Sequence, residues 1–235
     1  MLAISNLDVY YGQSKIINDV NINVPEGKAV CLMGRNGVGK TTLLKTIIGN
    51  LNSRHGKIVY EDDDVTQKAA HRRARLGIGY VPQGRGIFPY LTVYENLMIG
   101  FEAVPHMSTA EQQDSIEYVY SLFPVLKEMR HRMAGTLSGG QQQQLAIGRT
   151  LVRRPSLVLM DEPTEGIQPS IVEQIEQVIH DLRVDQGIAV LLIEQFLDFA
   201  LNVADYCYVM DKGHIVSEGA ASDLNEDAIR EYLSV

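Results

Sequence analysis

The stretch AVCLMGRNGVGKTT, residues 29–42, carries a continuous apolar run from Ala29 to Met33 directly into Gly34, Arg35, Asn36, Gly37, Val38, Gly39, Lys40, Thr41 and Thr42. The run lacks polar alternation, as expected of a strand covered on both faces in a mostly parallel sheet. Gly34, Gly39, Lys40 and Thr41 satisfy GxxxxGK[ST], and a predicted helix over Lys40 to Ile48 follows. Strand, glycine-rich turn and helix in that order make a phosphate cradle, because the glycines let backbone amides turn inward and the helix N-terminus adds partial positive charge. Residues Gly34 to Thr42 are the candidate nucleotide loop, with Lys40 on the β- and γ-phosphates and the Thr41 hydroxyl on magnesium.

Further apolar runs at Ile78 to Val81, Leu157 to Met160 and Ala189 to Ile193 read as strands of the same sheet, and a helix is predicted from about Ser170 to Val184. Strands alternating with helices imply an α/β core. Residues 1–30 differ: Leu2, Ile4, Leu7 and Val9, then Val20, Ile22 and Val24, alternate with polar neighbours as half-buried strands do. From Tyr90 to about Thr150 strand signals disappear. Two capping boxes, Thr92 with Glu95 and Ser138 with Gln141, mark helix entries there. The expected organisation is a single unit over 1–235, with an α/β core from 1–89 and 151–235 and a helical subdomain from 90–150. YCYVM and HIVSEG around Asp211, Lys212 and Gly213 predict a hairpin, followed by a short acidic helical tail.

The second chemical signal is a pair of acids, Asp161 and Glu162, at the end of the apolar strand Leu157 to Met160. In open α/β sheets ligands gather at the carboxyl ends of strands, so this pair and the phosphate loop can share one site. Asp161 is the candidate magnesium holder, through water, and Glu162 the candidate base for an attacking water.

Composition narrows the partners. With 235 residues, 45% hydrophobic, the chain can bury a sizeable core. Its apolar runs fall far short of the roughly 20 residues a spanning helix needs. The N-terminus has neither the basic start nor the apolar stretch of a secretory signal, so a cytoplasmic chain is expected. Cys31 and Cys207 lack a CxxC pairing and read as buried reduced thiols. The net charge of −8 argues against broad attraction to nucleic acid. The one basic run, HRRAR at His71 to Arg75, has no interleaved aromatics and reads as a solvated helix face.

Leu137, Ser138, Gly139, Gly140 and Gln141 spell LSGGQ, and with this motif the chain resembles the ABC transporter ATPases over essentially its whole length. The resemblance implies a P-loop NTPase core of RecA-like, mostly parallel sheet, an antiparallel β part and an inserted helical signature subdomain. It implies that the helix capped by Ser138 faces the γ-phosphate held by a partner's loop, two ATPs being sandwiched between two subunits. Tyr11 resembles the aromatic that stacks on adenine. Gln83 resembles the glutamine that contacts magnesium and the water and senses the membrane subunits. Gly84 to Pro89, with Ile87 and Phe88, resembles part of the cleft that receives a membrane subunit's coupling helix.

Two positions depart from the common pattern. Gln168 stands where many relatives carry aspartate, and Gln195 follows the strand Ala189 to Ile193 where the family commonly has a histidine on the γ-phosphate. Glutamine can donate a hydrogen bond there but cannot become a cation near neutral pH. Retained but modest ATPase activity is the expectation. EPTEGIQP and IEQ resemble the ATPases of branched-chain amino acid and amide importers, and LMGRNGVGKTTLLKTIIG, VPQGRGIFPYLTVYENL and EQFLDFALNVAD those of urea importers. The resemblance thus implies a urea importer, with a branched-chain amino acid or short-chain amide importer as the alternative. The implied assembly is two ATPase subunits, similar or identical, two membrane permeases and an extracytoplasmic solute-binding protein, with this chain peripheral on the cytoplasmic side of the membrane. Two other readings are weaker. A soluble ABC ATPase on nucleic acid or ribosomes would bring a long coiled-coil insertion or two nucleotide modules, neither of which is visible. A non-hydrolysing clamp is opposed by the presence of Lys40, Asp161 and Glu162.

Overall fold

The computed structural model describes residues 1–233. In chain order the first half runs β1 (Leu2–Tyr11), β2 (Ser14–Val24), β3 (Ala29–Met33), α1 (Lys40–Ile47), β4 (Ser53–Tyr60), β5 (Asp63–Asp64), α2 (Ala70–Arg75), β6 (Ile78–Val81), α3 (Val93–Ile99), α4 (Thr109–Leu122) and α5 (Pro124–Glu128). The second runs α6 (Gly139–Leu151), β7 (Leu157–Asp161), α7 (Pro169–Val184), β8 (Ala189–Glu194), α8 (Leu197–Val203), β9 (Tyr206–Asp211), β10 (His214–Ala220) and α9 (Glu226–Leu233). Two sheets result, one ordered β2-β1-β4-β5 and one ordered β10-β9-β3-β8-β7-β6. In the larger sheet β9, β3, β8, β7 and β6 are parallel and only the edge strand β10 is antiparallel.

The period of two along each parallel strand divides its residues between two cores. Ala29, Cys31 and Met33 of β3, Val158 and Met160 of β7, and Val190 and Leu192 of β8 face the core shared with α3 to α8. Val30 and Leu32, Leu157 and Leu159, and Leu191 and Ile193 face the opposite core, shared with α1 and the antiparallel sheet. The continuous apolar runs in the sequence are therefore strands with two dry faces. Cys31 and Cys207 lie opposite each other on β3 and β9, buried and free.

Local sequence places the helix ends. Both expected capping boxes form, at Thr92 with Glu95 and at Ser138 with Gln141. A third, at Ser108 with Glu111, opens α4 and was equally legible in the sequence. The β9–β10 hairpin turns through Lys212 and Gly213, with φ of 44° and 82°, the left-handed pair of a tight two-residue turn. The expected tail is α9, its last two residues, 234 and 235, lying outside the described residues.

One expectation is corrected. The HRRAR run is not wholly a solvated face: Arg73 is 1% exposed. Its guanidinium donates to the carbonyls of Thr46 at 2.8 Å, Ile47 at 2.7 Å, Thr66 at 2.9 Å and Lys68 at 2.7 Å. Two of these carbonyls end α1, where the helix leaves acceptors unpaired and its dipole favours a cation. Arg73 thus fastens the far end of the helix that begins at Lys40 to the β5–α2 connection. The charge pattern could not reveal this, because only one of the three arginines faces inward.

Arg73→Met should lower the unfolding free energy by about 3 kcal/mol, since it removes the side-chain donor to four carbonyls, of which only that of Thr46 keeps another, from Gly49 N at 3.1 Å. Arg72→Met, one exposed position away, should change it by less than about 0.5 kcal/mol. Urea unfolding followed by circular dichroism compares the two.

Candidate functional site

The register of the parallel strands builds the site. Met33 stands opposite Glu194, Asp161 opposite Ile193, and Val81 opposite Met160, so four strands end in one row. The residues just beyond those ends are Gly34, Gln195, Glu162 and Gln83. Four segments far apart in sequence thus converge without any of them being long.

The phosphate loop leaves β3 at Gly34 and reaches α1 through Gly39, whose φ of 117° is a left-handed conformation that side chains rarely adopt. A Cβ on Gly39 would also stand 2.8 Å from Ile17 Cδ1, so β2 packs directly beneath the loop. A small cavity of about 170 Å³ lies above it, lined by Ile16, Asn36, Gly37, Gly39, Lys40, Thr41, Thr42, Gln83 and Glu162. Larger grooves exist elsewhere on the surface, but they lack this convergence of loop amides, hydroxyls and a carboxylate.

Glu162 sits at the centre of a hydrogen-bonded chain. Gln195 Nε2 donates to Glu162 Oε1 at 2.6 Å and to Asn36 Oδ1 at 2.9 Å. Gln83 Nε2 donates to Glu162 Oε2 at 3.0 Å and to Glu165 Oε2 at 3.1 Å. Each carboxylate oxygen is held by one glutamine amide, and each amide is anchored by a second acceptor. Lys40 Nζ lies 3.7 Å from Glu162 Oε1 and donates to the carbonyls of Gly34 at 2.5 Å and Arg35 at 2.9 Å. Glu162 adopts a left-handed φ of 49°, a conformation costing about 1–3 kcal/mol that the surroundings must hold in place.

Part of that hold comes from Glu194, 1% exposed at the end of β8. Its Oε1 accepts from Thr164 Oγ1 at 2.7 Å and Thr164 N at 3.2 Å, and its Oε2 accepts from Gln195 N at 3.1 Å. One buried carboxylate therefore fixes both the segment after Glu162 and the backbone of Gln195. Burial pushes the Glu194 carboxyl up, opposed by these hydrogen bonds. Asp161, 1% exposed, is also pushed up, first by burial and then by the charge of Glu162. Burial pulls the Lys40 ammonium down, opposed by Glu162 and Asp161. Three carboxylates crowd one lysine.

Sequence reasoning placed Gly34 to Thr42, Gln83, Asp161, Glu162 and Gln195 together, and the structure gathers them. Thr41 Oγ1 is 3.5 Å from Asp161 Oδ1. Asp161 Oδ2 is buried without a hydrogen-bond partner, and the Tyr80 hydroxyl, itself pushed up to about 12 by burial and by Asp161, is close to the same carboxylate. Tyr11 stands apart from the cavity lining, half exposed at the tip of the β1–β2 hairpin whose second strand supplies Ile16. Ser138, Gly139, Gly140 and Gln141 also lie outside it, at the start of α6. A Cβ on Gly139 would meet the Arg85 guanidinium at 2.9 Å, and one on Gly140 would meet Ile171 Cγ1 at 2.9 Å. Gln168 caps α7 without a side-chain bond, Pro169 taking the first helical position. Glu165, Thr164 and Glu194 escaped the sequence reading. Glu194 ends a buried strand in an acid as Asp161 does, and that signal was available.

Residues 17–165 match the family model described as ABC transporter. The chain is 41% identical over 235 residues to the high-affinity branched-chain amino acid transport ATP-binding protein BraG of Pseudomonas aeruginosa, covering 99% of each chain. It is an ABC transporter ATP-binding subunit. Like the family, this ABC subunit is an ATPase. It is also 36% identical to a probable branched-chain amino acid transport ATP-binding protein, LivF, of Archaeoglobus fulgidus, over 96% of this chain and 94% of the relative. The lipopolysaccharide export system ATP-binding protein LptB of Escherichia coli K12 is 34% identical over 96% and 93%. Among solved structures, the ADP conformation of an ATP-binding cassette of an ABC transporter superposes with a TM-score of 0.83 at 33% identity, covering 100% of this chain and 94% of that one. A dimeric bacterial ABC transporter cassette superposes at 0.84 with 24% identity, a likeness of fold. No helix among the described residues is long and apolar enough to cross a membrane.

The ABC site is electrostatically costly to the apo protein, and that cost is measurable. Because the folded-state Asp161 carboxyl is raised, its contribution to stability is present at low pH and is lost as pH rises through the folded value. Asp161→Asn should therefore raise the melting temperature of metal- and nucleotide-free protein at about pH 7, with the gain shrinking toward about pH 4. Scanning fluorimetry across that range reads both limbs.

Proposed function

We propose that this chain is the ATP-hydrolysing, energy-coupling subunit of an ABC importer for branched-chain amino acids. The observation that carries the solute is the full-length kinship to BraG, with LivF beside it. That kinship favours the alternative named from sequence over urea, which rests on motif likeness alone; LptB shares the same core with an export system, so direction too is a matter of kinship.

The residue roles follow from the geometry. Amides of Gly34 to Thr42 take the phosphates, and Lys40 moves from its own loop carbonyls and Glu162 to the β- and γ-oxygens. Thr41 and Gln83 would hold magnesium, with Asp161 acting through water; when bound, the ion offsets charge on the β- and γ-oxygens. The unpartnered Asp161 Oδ2 beside Thr41 suits that group. Glu162 takes a proton from water as the water oxygen bonds the γ-phosphorus and the bond to the bridging oxygen breaks, releasing ADP. Gln195 donates to the γ-phosphate once freed from Glu162.

Tyr11 stacks on adenine from the hairpin tip. Ser138, Gly139, Gly140 and Gln141 stand apart from this loop and serve the γ-phosphate of a partner, a second similar ATPase subunit or a second copy. Residues 90–150 act as the helical subdomain carrying that signature, moving against a core of 1–89 and 151–235. Closure reaches two membrane permeases through the Gln83 region and the cleft at Gly84 to Pro89. An extracytoplasmic solute-binding protein delivers the solute, and the chain sits peripherally on the cytoplasmic face.

Uptake of labelled leucine and labelled urea in cells with and without the gene, and with Lys40→Ala, tests the solute: loss of leucine uptake alone is expected, and loss of urea uptake alone would restore the urea reading. Glu162→Gln should lower ATP turnover by about 10²–10⁴-fold and trap ATP-bound dimers visible by light scattering. Turnover at the parental rate would remove Glu162 as the base. Gln195→Ala with unchanged turnover would remove Gln195 from the site.

A further inference from the structure

Glu165 lies three residues beyond Glu162, on a turn closed by Glu165 N donating to Glu162 O at 3.2 Å. The left-handed backbone at Glu162 bends this turn so that both carboxylates reach one group, the amide of Gln83. That amide nitrogen carries two hydrogens, and each is taken by a different carboxylate, at 3.0 and 3.1 Å. Its orientation is thereby determined. Turned over, the amide would set its oxygen against two negative groups, replacing two charge-assisted bonds with two repulsions. The bonded arrangement leaves Oε1 as the remaining acceptor of a residue that lines the phosphate-loop cavity.

The two carboxylates are not equivalent. Glu162 also receives Gln195 and Lys40 and lines the cavity, whereas Glu165 is exposed and stands outside the lining. A carboxylate that turns to an incoming water must release its glutamines. Once Glu162 does so, Glu165 alone keeps Gln83 from swinging out of the row of strand ends. On the opposite side Asn36 anchors Gln195 by its second hydrogen in the same manner.

We propose that Glu165 is a positioning residue for the reaction: it anchors the Gln83 amide so that Oε1 is presented to the divalent cation and water. The proposal rests on the reading of Gln83 given above. It predicts an effect on metal use more than on nucleotide affinity, and one that passes entirely through Gln83.

The experiment compares the full chain with Glu165→Ala, Glu165→Gln, Gln83→Ala and the Gln83→Ala/Glu165→Ala double variant. ATP turnover is titrated with magnesium, and manganese affinity in the presence of ADP is read by electron paramagnetic resonance, which does not depend on turnover. Glu165→Ala should raise the half-saturating magnesium and weaken manganese by about three- to tenfold, with the KM for ATP changed by less than about twofold. Glu165→Gln keeps an acceptor and should recover most of the loss. In the Gln83→Ala background, Glu165→Ala should change neither quantity. If Gln83→Ala shifts metal dependence and Glu165→Ala does not, or if the two effects add, the role of Glu165 is overturned and that of Gln83 stands. If Gln83→Ala shifts nothing, both fall together.

Discussion

Strand register is the constraint on which this molecule depends, because β3, β8, β7 and β6 must end together for their following residues to meet. A slip of one residue in β7 would send Asp161 to the other face and move Glu162 away from Lys40. The slip is resisted on both sides of the sheet at once. Val158 and Met160 belong to one core and Leu157 and Leu159 to the other, so no shifted register leaves either face dry and filled. Burial of ordinary aliphatic side chains therefore sets the position of the charged ones.

Within that frame the site is an assembly of unlike demands. Asp161, Glu162 and Glu194 are carboxylates at or near full burial, and the one buried ammonium beside them is Lys40. Glu194 is satisfied by Thr164 and Gln195, and Glu162 by two glutamines, but Asp161 keeps an unpaired oxygen. Stability surrendered here is recovered at places such as Arg73, where one buried cation satisfies four carbonyls and secures the helix that Lys40 begins.

The replacement of the usual histidine by Gln195 fits this arrangement. A neutral amide supplies two donors in fixed directions, and here one goes to Glu162 and one to Asn36. Gln83 repeats the pattern toward Glu162 and Glu165. The Glu162 carboxylate is thus cradled by two amides whose donor count does not change with pH, where an imidazole would alter its charge near neutrality.

By itself the sequence determined the strands with two dry faces, the capped helix starts, the phosphate loop and the acid pair, because each is encoded by residues adjacent in the chain. Periodicity, glycine spacing and S/T-x-x-E/Q boxes are local signals and survive without coordinates. The tertiary structure alone decided which arginine of HRRAR turns inward, that Glu194 binds Thr164 and Gln195 together, and that Glu165 shares the Gln83 amide with Glu162. The Gln83 contacts join residues 79 and 82 positions apart, Thr164 and Glu194 are 30 apart and Arg73 reaches back 26 and 27 positions to Ile47 and Thr46, and hydrogen-bond partnership at such separations is set by where the tertiary fold brings the chain, which no local pattern records.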